Sequence, residues 1–128
     1  MYQSQTEVYS RAQVSVLGDR EAEAAVLMKA AAMMKHVQSQ WSAPDRDTAL
    51  DRALRYNQRL WTFFQVALLD EKNPLPRQIR ENILRLSAFI DRRIFDTLAY
   101  PTPAKLDILI NINTNVAAGL KGSAKSGE

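Results

Sequence analysis

No cysteine occurs among the 128 residues, and His36 is the single histidine. Without cysteine there are no disulfides, thiolate metal sites, cysteine nucleophiles or iron–sulfur clusters, and the absence fits a reducing compartment. His36 has no Glu-x-x-His or His-x-x-x-His neighbour, so it reads as a solvated helix residue rather than a metal ligand or base. Glycine is scarce: there are four, and two of them, Gly122 and Gly127, fall near the C-terminus. That argues against sheet-rich or loop-rich architectures, and no Gly-rich phosphate loop or Gly-x-Ser-x-Gly motif is present. No apolar run approaches the roughly 18 residues needed to span a bilayer. The stretch Met1 to Gln5 lacks a basic region followed by an apolar core, so a signal peptide is not expected. Charge of one sign is also lacking. Seventeen basic against fourteen acidic residues give a net charge of +3, and the acids interleave with the bases, which leaves no concentrated basic stripe for nucleic acid. The expectation is a non-enzymatic cytoplasmic protein without cofactor, metal or membrane insertion, acting by binding another macromolecule.

What the chain does carry is helical periodicity. Asp19 is a good N-cap, with Glu21 and Glu23 in the first turn, where carboxylates suit the helix dipole. Val26, Ala30, Met33, Val37 and Trp41 follow at helical spacing, and Leu27 and Met34 widen the stripe. Pro44 breaks this segment, and Asp45 or Asp47 can cap the next. Asp51 completes an acidic cluster that caps and first-turn charges explain. Leu50, Leu54, Asn57, Trp61, Phe64 and Leu68 then form the cleanest stripe, with Arg52, Arg55 and Arg59 on the opposite side. Asn73-Pro74-Leu75-Pro76 stops that helix, and Pro76 suits the first turn of a third, whose core positions are Ile79, Ile83, Leu86, Ile90 and Ile94. After Tyr100-Pro101-Thr102-Pro103, residues 106–113 alternate as a strand would. Leu106, Leu109, Ile112, Val116 and Leu120 also fit a helix ending at Gly119, and helix is favoured because a lone strand has nothing to pair with.

The predicted fold is therefore all-α, a small bundle of four main helices near 20–41, 46–70, 76–98 and 104–119, with a short N-terminal segment. Residues 1–120 form one domain, and 121–128 read as a flexible, disordered polar tail. Tyr9, Ala12, Val14, Val16 and Leu17 can pack on the body, but no period fixes their state.

Asn57 is the oddest residue, because it occupies a core position between Leu54 and Trp61. A buried amide costs about 1–3 kcal/mol unless its hydrogen bonds are satisfied. A structural hydrogen bond to a loop carbonyl is the plainer reading, and contact with a partner's backbone is the functional one. Asn111, Asn113 and Asn115 pose the same question, with exposure expected for at least two of them.

Taken together, Tyr9 after an apolar residue, Asn57-Gln58-Arg59-Leu60-Trp61, Asn73-Pro74-Leu75-Pro76, and Ile110-Asn111-x-Asn113 leading to Gly119-Leu120 resemble the FlaF family of alphaproteobacterial flagellar systems in kind and order. The resemblance spans roughly residues 8–120. It implies a protein that supports flagellin synthesis and secretion, binds flagellin as an export chaperone does, and acts beside a second regulator, FlbT. The matching positions that the resemblance offers as partner-binding residues are Asn57, Leu60, Trp61, Leu75, Pro76, Ile110 and Asn113.

Two other readings compete. One is an RNA-binding regulator of flagellin mRNA translation using Arg52, Arg55, Arg59, Arg80, Arg85, Arg92 and Arg93, which the interleaved Asp51, Glu81, Asp91 and Asp96 disfavour. The other is a structural adaptor for FlbT. Helices one and three have apolar faces broader than one seam requires, which fits a partner helix or a homodimer equally well.

Overall fold

The computed structural model describes residues 19–126, with side chains to residue 121. Four long helices account for it: α1 (Arg20–Ser39), α2 (Arg46–Leu69), α3 (Arg77–Ala99) and α4 (Leu106–Ser126), with a 3-10 turn at Pro103–Lys105 leading into α4. No strand occurs among the described residues, so 106–113 is helical. The N-terminal residues with a possible packing role, Tyr9 to Leu17, lie outside the described residues.

The start of α1 follows from its sequence. Asp19 is extended, and its Oδ1 accepts from the Ala22 amide at 3.1 Å, satisfying one of the donors a helix start leaves open. At α2 the cap position belongs to Asp45, but its side chain makes no capping bond. Asp47 pairs instead with Arg46 at 2.8 Å, and the Arg46 guanidinium lies 4.3 Å from the centre of the Trp41 ring. Pro76 is the N-cap of α3 rather than its first turn, and its carbonyl accepts from the Arg80 amide at 3.0 Å.

Helix α1 lies between α2 and α4, and α3 packs on α2 with only a slight contact to α4. Side-chain links fix antiparallel directions. Gln38 near the end of α1 donates to the Pro103 carbonyl at 2.9 Å and to Asp107 at 2.6 Å, where α4 begins. Gln65 of α2 donates to Asp91 of α3 at 3.0 Å, and Arg80 donates to the Asp70 carbonyl at 3.2 Å. Lys105 pairs with Asp96 at 3.0 Å, tying the end of α3 to the turn before α4.

The core stripe of α2 is the expected one, with Leu50, Leu54, Asn57, Trp61, Phe64 and Leu68 all buried. On α1 the buried line is rotated: Ala24, Leu27, Ala30, Ala31, Met34 and Val37 are inside, while Val26, Met33 and Trp41 are only partly covered. Three of these six buried residues are alanines, and α1 packs on both α2 and α4. On α3, Ile83 and Leu86 sit at the rim, and the buried positions include Ser87 and Thr97. Both hydroxyls bond carbonyls of their own helix, Ser87 to Leu84 at 2.7 Å and Thr97 to Arg93 at 2.6 Å, so they enter the core without an open hydrogen bond.

Helix α4 continues through Gly119, where the spacing predicts its end. Leu120 is buried, and the apolar contact it makes carries the helix over one weak residue. A Cβ at Gly119 would meet nothing within 4 Å. Gly119→Ala is therefore expected to stabilise the fold by about 0.5–1 kcal/mol, through helix propensity and a less flexible unfolded chain. An unchanged or lower midpoint in urea would show that the glycine backbone is needed there.

Candidate functional site

Three of the residues singled out from sequence meet in one buried cluster. Trp61 Nε1 donates to Asn113 Oδ1 at 3.0 Å, and Asn113 Nδ2 donates to Asn57 Oδ1 at 2.6 Å and to the Leu27 carbonyl at 3.4 Å. Asn57, Trp61 and Asn113 are fully buried. An indole N–H can only donate, so it must face the Asn113 oxygen. That turns the Asn113 amide nitrogen toward Asn57, which must then present its own oxygen. One donor-only group thus sets both amides, and the Asn57 Nδ2 is left without a partner.

The cluster joins α1, α2 and α4 at a single point. The Trp61 ring meets Phe64 edge-on, with centroids 5.3 Å apart at 85°, which is a favourable aromatic arrangement. The hydrogen-bond partner of Asn57 is therefore a side chain of α4 and not a loop carbonyl. Asn111 and Asn115 are exposed, as expected for two of the three C-terminal asparagines.

The remaining positions lie apart from this cluster. Leu60 is buried on α2. Leu75 is buried in the α2–α3 connection, and Asn73 holds it there. The Asn73 Nδ2 donates to the Ala67 carbonyl at 3.0 Å, and its Oδ1 accepts from the Leu75 amide at 3.0 Å. Pro76 is exposed and Ile110 half-buried. Asn73 stands in the sequence only as the first letter of a proline-rich break, and an Asn before Pro at a helix end is the signal that could have marked it as a turn-forming side chain.

The surface offers a cleft that the sequence did not reveal. Between α1 and α2 lies an open hollow of about 320 Å³ lined by Ala32, Met33, His36, Val37, Ala49, Arg52 and Ala53. A smaller one of about 150 Å³ adjoins it and shares His36, Val37 and Ala49. The walls of the larger hollow are mostly apolar, with Arg52 and His36 at its edge. Among the described residues no group of three or more His, Cys, Asp or Glu side chains is placed to hold a metal, and no helix is long and apolar enough to cross a membrane.

The arginines divide into two sets. Arg55 pairs with Asp51 at 2.9 Å and Arg77 with Glu81 at 3.0 Å. Arg85 donates to Asn82 at 3.1 Å and Arg80 to the Asp70 carbonyl. The Nε atoms of Arg80 and Arg93 are buried. Arg52, Arg59 and Arg92 are exposed, as are the paired Arg55, Arg77 and Arg85, but Asp51 and Glu81 interleave with them and break any continuous basic track.

Fold and surface together define a helical bundle latched by one buried amide, with an apolar cleft on its outside. The chain belongs to the FlaF family: the family model described as "Flagellar protein FlaF" matches residues 5–120, nearly its whole length. This is a flagellar protein family and not a known enzyme family. Neither among curated proteins nor among solved structures does any match the chain significantly.

Proposed function

We propose that this protein binds flagellin and supports its synthesis and secretion as a cytoplasmic chaperone and regulator. The observation that carries the reading is the solvent-open apolar cleft between α1 and α2 in a member of a flagellar family. Flagellin subunits carry long amphipathic terminal helices that stay unpaired until filament assembly. A cleft lined by Ala32, Met33, Ala49 and Ala53 suits the apolar face of such a helix, docked in the helix-in-groove manner. In this proposal Asn57, Trp61 and Asn113 act from inside, by holding α1, α2 and α4 in the register that shapes the cleft. Leu60 and Leu75 support the same helices, and Pro76 and Ile110 are the family positions nearest solvent. An adaptor role toward FlbT would use the same kind of surface. The acids interleaved and paired with the arginines count against the RNA reading.

The test is co-purification of the protein with flagellin, with and without its terminal helices, at low and high salt. Apolar docking should survive added salt, whereas a complex with the messenger leader would weaken steeply, because phosphate neutralisation releases counterions. Ala32→Glu, an exposed change in the cleft, is expected to weaken flagellin binding by roughly tenfold or more, since a charge would be desolvated there, while the melting temperature stays near that of the parent. Undiminished binding by that variant would move the site elsewhere. Tight, salt-sensitive RNA binding without flagellin affinity would replace the proposal.

A further inference from the structure

The outer face of α2 carries a second stripe, opposite the one that forms the core. Arg59, Phe63, Val66 and Asp70 recur at steps of four, three and four, and at about 100° per residue they fall within roughly 60° of arc. All four are exposed, with Phe63 at 67% and Val66 at 65%. Asp70 is the C-cap, so its Cα still follows the helix. Its carboxylate accepts from the Lys72 amide at 2.9 Å. Arg59 forms no ion pair among the described residues.

The order of these four residues is symmetric. Basic, apolar, apolar and acidic positions lie evenly about the level between Phe64 and Gln65, so the stripe is complementary to itself read backwards. We infer that this face pairs with the same face of a second copy of the chain, α2 against α2 in antiparallel, about a two-fold axis at that level. In that arrangement Arg59 meets Asp70 of the second copy, Phe63 meets Val66, and each contact occurs twice, as an isologous interface requires. The contacts span about 16 Å at 1.5 Å per residue.

A flanking pair obeys the same symmetry. Leu69 is 68% exposed and Phe95 of α3 is 79% exposed. The Gln65–Asp91 bond sets the α2–α3 register, which puts Phe95 near the level of Trp61. The two-fold axis then brings Leu69 of one copy opposite Phe95 of the other, on the shared α3 side. An exposed apolar patch of this extent is uncommon on a monomer. A foreign partner would not require the charges at its two ends to be equal in distance and opposite in sign. The inference does not rest on flagellin binding, and its interface is separate from the α1–α2 cleft.

Sedimentation velocity on the full chain over a wide concentration range tests it. The parent should pass from monomer to dimer as concentration rises. Arg59→Glu and Asp70→Arg should each raise the dissociation constant by roughly tenfold or more, because each sets two like-charge contacts across the axis. An equimolar mixture of the two variants should recover dimer, since the introduced glutamate then faces the introduced arginine and the native Arg59 faces the native Asp70. Circular dichroism of each variant should match the parent. A parent that stays monomeric throughout, single variants that dimerise as well as the parent, or a mixture that fails to recover dimer would each overturn the inference.

Discussion

Trp61→Ala is expected to lower the unfolding free energy by about 4–8 kcal/mol, from the emptied ring volume and from one orphaned acceptor. The ring is fully buried and packs edge-on against Phe64, so its removal leaves a cavity worth about 3–5 kcal/mol. The Asn113 oxygen then loses its donor, the indole N–H at 3.0 Å, which adds about 1–3 kcal/mol for a buried group without a partner. Domains of this size have about 5–15 kcal/mol in total, so a large share of the variant should be unfolded at ambient temperature. Trp61→Phe separates the two contributions. It keeps an aromatic ring beside Phe64 but has no donor, and about 1–3 kcal/mol should be lost. Urea denaturation followed by far-ultraviolet circular dichroism reads both. If Phe proved as damaging as Ala, the hydrogen bond rather than the ring volume would dominate.

The second large effect belongs to Asn113, and it should exceed that of its neighbour. Asn113→Leu keeps the volume but leaves the Trp61 N–H and the Asn57 amide buried and unbonded, at a cost of about 3–5 kcal/mol for two such groups. Asn57→Leu removes one acceptor and, with it, the amide nitrogen that already lacks a partner. Asn113 keeps its bond from Trp61 and its longer one to the Leu27 carbonyl. The expected loss is therefore under about 1.5 kcal/mol. Equal losses for the two asparagines, or the reverse order, would show that the cluster is not centred on Asn113.

The period of α2 was legible because its apolar residues are large and its outer positions polar as far as Arg59. Its core stripe and the boundaries of α1, α2 and α3, within two residues, follow from spacing and from the breaks at Pro44, Pro74 and Pro101, whereas α4 runs on to Ser126, past the end expected at Gly119. The α1 stripe was harder to place, since Ala24, Ala30 and Ala31 are buried but carry little hydrophobic signal. Ser87 and Thr97 escaped for a similar reason: each satisfies its hydroxyl within its own helix, which makes a polar residue acceptable in a core position. Residues 106–113 were ambiguous between periods of two and 3.6, and packing along α1 decides for helix.

For the candidate site, periodicity marked Asn57 as anomalous beside Trp61 in the core stripe, Asn113 stood as one of three asparagines with an open role, and the resemblance named all three. That the three meet was not legible, because a contact between positions 56 residues apart leaves no trace in local spacing. The outer stripe at Phe63 and Val66 was also missed. A helix with apolar residues on two opposite faces looks, in one dimension, like a helix with a single broad face.

Asn113 lies 86 residues after Leu27 and 56 after Asn57 along the chain. Helices α1, α2 and α3 are all translated before the segment that latches two of them together. Until α4 is made, the face of α1 that packs against it is uncovered, and the Trp61 indole has no acceptor from Asn113. Folding of the nascent chain must therefore wait for its last helix, and the incomplete product resembles the exposed intermediates that proteases and chaperones recognise. A premature stop anywhere before Asn113 should give a product that is cleared by the cell, and not a working fragment of three helices.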